Sequence, residues 1–143
     1  MTTLEKPQSN QDFFNKAWRW LVIDKHPKSF EVDGAGAEQC RYRTKLDNSD
    51  VVLSCIAGAF IPDSLYRDGL ERRNINALCD PSNDSFYHPE IAKLFEHVNQ
   101  DLLWRVQQTH DAYYVSARED HMNYIAKLHN LTIPSPDETI PTH

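Results

Sequence analysis

The chain has little of what usually announces a chemistry. It holds three cysteines in 143 residues, an odd number without paired spacing, which argues for reduced thiols rather than a disulfide framework. Cys40 and Cys55 stand too far apart for a C-x-x-C knuckle, and none of the seven histidines belongs to an H-E-x-x-H pair, so spacing supports no metal site. With only four glycines there is no phosphate-cradling loop. Gly34 and Gly36 lack the third glycine, the lysine and the following helix that such a loop needs. No run of about 18 apolar residues occurs, and the start MTTLEKPQSNQDFF has no apolar stretch after a basic end, which argues against membrane spanning and secretion. The expectation is a cytoplasmic protein with no cofactor and no membrane partner.

Positive charge is also in short supply. Fifteen Lys and Arg against 21 Asp and Glu leave a net charge of −6, which opposes general nucleic-acid binding. The acidic residues are interspersed with basic ones rather than arrayed in a block, so DNA mimicry is a weak reading as well. What is present is ordinary globular composition, 40% hydrophobic and 25% charged with six Phe, six Tyr and three Trp, enough to build one domain with a real core.

The most legible segment is Cys40 to Tyr66. Cys40, Tyr42, Thr44 and Leu46 alternate with Arg41, Arg43 and Lys45, the period of a strand with one packed and one wet face. Asp47 to Asp50 make a turn cluster, and Val51 to Ile56 make the return strand. Pairing Leu46 with Val51 places Thr44 opposite Leu53 and Tyr42 opposite Cys55, with Cys40 diagonal to Cys55 at roughly 7 Å on the packed face. Gly58 and Pro62 end the strand.

Around this hairpin the pattern is helical. Residues 1–9 read as a flexible arm. A first helix spans about 10–23, started by Ser9 and Asp12 and stopped before Pro27, with SFEVDGAGAEQ as a loop. Short turns follow near 61–66 and 74–78. A long helix is expected from Pro89 to Tyr113, with Ile91, Leu94, Phe95, Val98, Leu102, Val106 and Thr109 inward. Ser116 to Glu119 resemble a capping box for a last helix that turns Met122, Ile125, Leu128 and Leu131 inward. The domain is 10–133, and 134–143 reads as a disordered tail. The fold class is α+β: one small domain in which a β-hairpin, extendable to a three-stranded antiparallel sheet, packs against three or four helices.

Several short strings resemble small uncharacterised proteins of tailed phages and their bacterial hosts. They are Cys40-Arg41-Tyr42-Arg43, Cys55-Ile56-Ala57-Gly58, Ile61-Pro62-Asp63 with Tyr66, then Gln107, Gln108, His110 and Asp111, and finally Ile125 to Leu131. The chain has Asn130 where that pattern ends its helix on glycine, and Asn can mimic glycine in a left-handed cap. The resemblance implies a phage or bacterial cytosolic setting and no reaction.

Two functional readings come out of these residues. In the first, Arg41, Arg43 and Lys45, with Arg67, Arg72 and Arg73, offer forks for phosphate or carboxylate while Tyr42 and Tyr66 add stacking surface. The protein is then a non-enzymatic binding protein, a phage-type modulator or inhibitor that captures a host protein or a phosphorylated, anionic small molecule. In the second, Cys40, Cys55, His110 and Asp111 converge as a Cys/His or metal-dependent hydrolase. An HD-type variant would recruit His97 and Asp120. Against it, two cysteines on the packed face of a strand pair are usually core residues.

Overall fold

A computed structural model describes residues 3–32, 34–45, 52–71, 73–112 and 114–134. The architecture is a small α+β domain. Among the described residues the elements run α1 (Asn10–Trp18), a π-helical turn (Arg19–Ile23), β1 (Phe30–Val32), β2 (Glu38–Cys40), β3 (Arg43–Lys45), β4 (Val52–Ser54) and α2 (Ile56–Ala59). A 3-10 turn (Asp68–Leu70) then leads to α3 (Ile75–Cys79), α4 (Pro89–Leu94), α5 (Gln100–Ala112) and α6 (Val115–Leu128).

The hairpin forms in the expected register. β3 and β4 are antiparallel, with Thr44 opposite Leu53. The Leu46–Val51 pair and the Asp47–Asp50 turn lie outside the described residues. Among the described residues no third strand joins this sheet. Instead β1 and β2 make a second two-stranded ribbon, Phe30 opposite Cys40, where the sequence reading has a loop. Gly36, at φ +86°, supplies the left-handed backbone of its turn, so the glycine pair is hairpin chemistry. The strand expected from Cys40 to Leu46 is broken because the amides of Tyr42 and Arg43 leave the ladder. Both donate to the Glu71 carboxylate, at 2.8 and 3.2 Å.

The return strand stops at Ser54, earlier than expected, and Ile56 already belongs to α2. Gly58 therefore ends no strand; it lies within that short helix, pressed against the backbone of Tyr42.

The helices hold the core. Ser9 caps α1 by accepting from Asp12 N–H at 3.0 Å, and Asp12 returns a bond to Gln8 N–H. Phe13 and Phe14 point inward, and Phe13, Phe60 and Phe95 form a ring triad with centroids 5.6 to 6.4 Å apart. That triad ties α1 to the ends of α2 and α4. Within residues 3–9, Leu4 N–H donates to Ala59 O, Lys6 pairs with Glu96 at 3.0 Å, and Pro7 is buried.

The long helix is two helices. α4 ends at Phe95, and Asn99 restarts the chain by accepting from Asp101 N–H and Leu102 N–H while its own N–H donates to Asn10 Oδ1. Phe95 and Val98 both reach the core, as residues three apart would also do in a continuous helix. α6 starts at Val115 with no side-chain cap, so Ser116 is already inside it. Met122 and Ile125 are buried as expected, but Leu128 is 48% exposed, and Arg118 takes a core position. Asn130 ends the helix at φ +57°, with Leu131 N–H bonded to Ala126 O, the left-handed stop that glycine usually makes. The tail beyond Pro134 lies outside the described residues.

Candidate functional site

His110 and Cys55 meet at the start of α2, where three amides need acceptors. Ile56 N–H donates to His110 Nδ1 at 3.0 Å, Ala57 N–H to Gln107 Oε1 at 2.9 Å, and Gly58 N–H to Cys55 Sγ at 3.3 Å. α5 thus reaches across with two side chains to satisfy the first turn of a short helix, and the thiol satisfies the third amide. The other ring nitrogen of His110, Nε2, faces His26 O at 3.2 Å and Pro27 O at 3.1 Å, so it carries the proton. Both nitrogens are committed to backbone groups, which leaves neither to draw a proton from Cys55.

Burial pushes His110 down to about 4, with Arg118 adding repulsion. Arg118 itself is 1% exposed and donates to Leu21 O and His26 O at 3.2 and 2.8 Å. These are carbonyls at the end of the π-helical turn, where a cation suits the helix C-terminus. Trp20 stacks on His26 with centroids 3.5 Å apart, and burial also lowers His26.

An acid sensitivity follows. Folded His110 remains neutral down to about pH 4, whereas the unfolded imidazole takes up its proton near 6.5. The contribution to stability is complete above pH 6.5, declines as pH falls, and levels off below about 4. Its loss should reach about 2 kcal/mol at pH 5. Urea unfolding at pH 7.5, 6 and 5 checks this. A flat profile would show that His110 takes up its proton in the fold as readily as in the unfolded chain.

The other hydrolase candidates do not assemble. Cys40 is exposed on β2 while Cys55 is buried, so the shared packed face expected for the pair does not form. His97 pairs with Glu96 at 3.3 Å in the α4–α5 connection, at the far end of α5 from His110, about 15 Å along the helix. Asp120 is exposed on α6. Asp111 is within α5, but its side chain is outside the described residues. Among the described residues no three His, Cys, Asp or Glu side chains come together as a metal site. No described helix is long and apolar enough to cross a membrane.

The basic residues do assemble, around a carboxylate that the sequence reading missed. Glu71 is buried and accepts from Tyr42 N–H, Arg43 N–H and, at 2.7 Å, Tyr66 O–H. Arg41 lies 3.9 Å from the same carboxylate and donates to Arg43 O. Arg43 pairs with Asp63 at 2.6 Å, donates to Ile61 O at 2.7 Å and lies over the Tyr66 ring at 4.6 Å. Tyr42 is buried, its hydroxyl donating to Arg73 O. Burial pushes Tyr66 up to about 12, reinforced by Glu71.

Arg43, Tyr42 and Tyr66 are thus each tied into the fold. Exposed around them are Lys45 and Arg67, neither in an ion pair among the described residues. Arg73 stacks over the exposed Phe86 at 4.9 Å. Arg72 lies outside the described residues.

A concavity with no signal in the sequence opens between α3, α4 and α5. It encloses about 370 Å³ and is lined by Cys79, Tyr87, Lys93, Phe95 and Gln100 among others. Burial pushes the Cys79 thiol up to about 11, so it is not a thiolate nucleophile near neutral pH. Comparison of the chain with protein-family models, with curated proteins and with solved structures finds no match in any of the three.

Proposed function

We propose that the protein is a non-enzymatic binding protein, a phage-type modulator that captures a host protein or a phosphorylated small ligand through an anionic group. One observation carries the reading. Arg41, Lys45, Arg67 and Arg73 surround a rigid Arg43–Tyr66–Glu71 centre in a chain of net charge −6. A fixed centre limits the conformational entropy that the surrounding cations lose on binding. Arginine forks with adjacent aromatic rings suit phosphate and carboxylate groups. The phage or bacterial setting rests on the resemblance of the short strings.

The exposed cations give the test, because Arg43 is needed by the fold. K45Q/R67Q should melt within about 2 °C of wild type, since solvated cations contribute little to stability. It should also lose the partner or ligand seen by native mass spectrometry of protein purified from its own host. Raising salt should produce the same loss in wild type. A retained host protein identifies a protein target, and a small mass adduct identifies a phosphorylated ligand. Unchanged capture of either by the double variant would remove this surface from the function.

A further inference from the structure

The concavity between α3, α4 and α5 combines an apolar floor with a cation at its mouth. Phe95, Val98 and Leu103 line it and belong to the buried core, whereas Tyr87 and Pro89 line it from the exposed side. The loop that brings Tyr87 here is tied to α3, because His88 N–H donates to Leu78 O at 2.8 Å, and it is folded on itself by Tyr87 N–H donating to Asn83 O at 2.9 Å. Gln100 Nε2 donates to Cys79 O at 3.4 Å and so joins α5 to the end of α3. The walls are held by the fold's own bonds, so a ligand does not have to order them.

Charge selects the occupant. Of the lining residues only Lys93 and Glu96 are charged, and Glu96 is already engaged, by Lys6 at 3.0 Å and His97 at 3.3 Å. The hydrogen bond from Lys6 holds the Glu96 carboxyl below its ordinary range, and Lys93 adds to that field. Lys93 is exposed and makes no ion pair among the described residues. Lys6 and Lys93 against Glu96 leave one positive charge in excess at the mouth, in a chain of net charge −6. We infer that the pocket binds a small aryl monocarboxylate, its ring over Phe95 and Val98 beside Tyr87 and its carboxylate at Lys93 Nζ. The volume of about 370 Å³ is that of about twelve waters, at the low end for ligand sites, which sets the ligand at fragment size. A single lysine is a point charge that suits one negative charge, whereas phosphate favours the forked donors of arginine, and those lie elsewhere, around Glu71. The site is separate from that surface and does not rest on the function proposed for it.

Phenylacetate, phenethyl alcohol and phenethylamine share a ring and differ in charge, and titrating each into the isotope-labelled chain by amide NMR tests the inference. Phenylacetate should shift the amides of Cys79, Lys93 and Gln100 saturably, with a dissociation constant of about 0.1 to 5 mM for so small a ligand. The alcohol should bind about fivefold or more weakly, and the amine more weakly still. K93Q should bring phenylacetate to the level of the alcohol, and K93E should reverse the order so that the amine binds best. Ala92→Trp, which fills the pocket from its wall, should abolish binding of all three, with circular dichroism confirming the fold. K45Q/R67Q should bind phenylacetate like wild type, which keeps this site distinct from the arginine surface. No saturable shift at these amides up to about 20 mM overturns the inference, as does K93Q binding phenylacetate like wild type. Loss of binding in K45Q/R67Q would also overturn it, by placing the carboxylate at the arginines.

Discussion

Gly58→Ala should lower the melting temperature by about 10 °C, corresponding to about 3 kcal/mol. A Cβ built on Gly58 meets Tyr42 O at 2.3 Å and Tyr42 C at 3.0 Å. Both are backbone atoms, so no rotamer change relieves the contact. Tyr42 is poorly able to retreat: its N–H is held by Glu71, its hydroxyl by Arg73 O, and its ring is buried. Alanine would gain up to about 1 kcal/mol in helix propensity, and the clash outweighs it. Gly69, with nothing within 4 Å of a built Cβ, is the control, and Gly69→Ala should move the melting temperature by only about 1 to 2 °C. A Gly58→Ala protein as stable as wild type would mean that the strand and α2 are not in this close approach.

The closeness of Tyr42 to Gly58 explains why the hairpin was legible and its surroundings were not. Alternation of Tyr42 and Thr44 with Arg43 and Lys45 fixes a register by local pattern alone, and Thr44 pairs with Leu53 accordingly. Ser9, Pro89 and Asn130 likewise act within one or two turns of their own positions. The split of the expected strand depends on Glu71, which is 29 residues along the chain from Tyr42. No local period encodes an acceptor at that distance. β1 and β2, at three residues each, are too short to show alternation. α4 and α5 share one apolar stripe in sequence although Asn99 and Asn10 interrupt the helix between them.

The candidate site divides in the same way. Several residues singled out in the sequence meet in space through contacts within the fold. Cys55, Gln107 and His110 satisfy the first turn of α2, while Arg43 gathers Ile61, Asp63 and Tyr66. Arg118 gave the least warning, because an arginine in a helical pattern is normally read as solvated. Its position is explained only by the carbonyls of Leu21 and His26, which belong to another element.

The larger loss is expected at Glu71. Glu71→Ala should cost about 4 kcal/mol, because it strands several donors at once. Tyr42 N–H and Arg43 N–H have left the β-ladder for this carboxylate, Tyr66 O–H points at it, and Arg41 lies 3.9 Å away. Glu71→Gln keeps the shape but offers one acceptor oxygen where two are used, so it should fall between wild type and alanine. Stability alone would not separate this role from simple packing, and Tyr66 provides the second readout. Burial, followed by the hydrogen bond to Glu71, holds its phenol up at about 12. Replacing the carboxylate by the neutral amide removes the negative neighbour, so in a folded Glu71→Gln protein one tyrosine should titrate closer to the ordinary value of about 10. Ultraviolet absorbance of the phenolate, followed with circular dichroism to confirm that the protein is still folded, gives the measurement. A Glu71→Gln protein with wild-type stability and an unchanged tyrosine titration would show that the carboxylate is not the acceptor that breaks the strand.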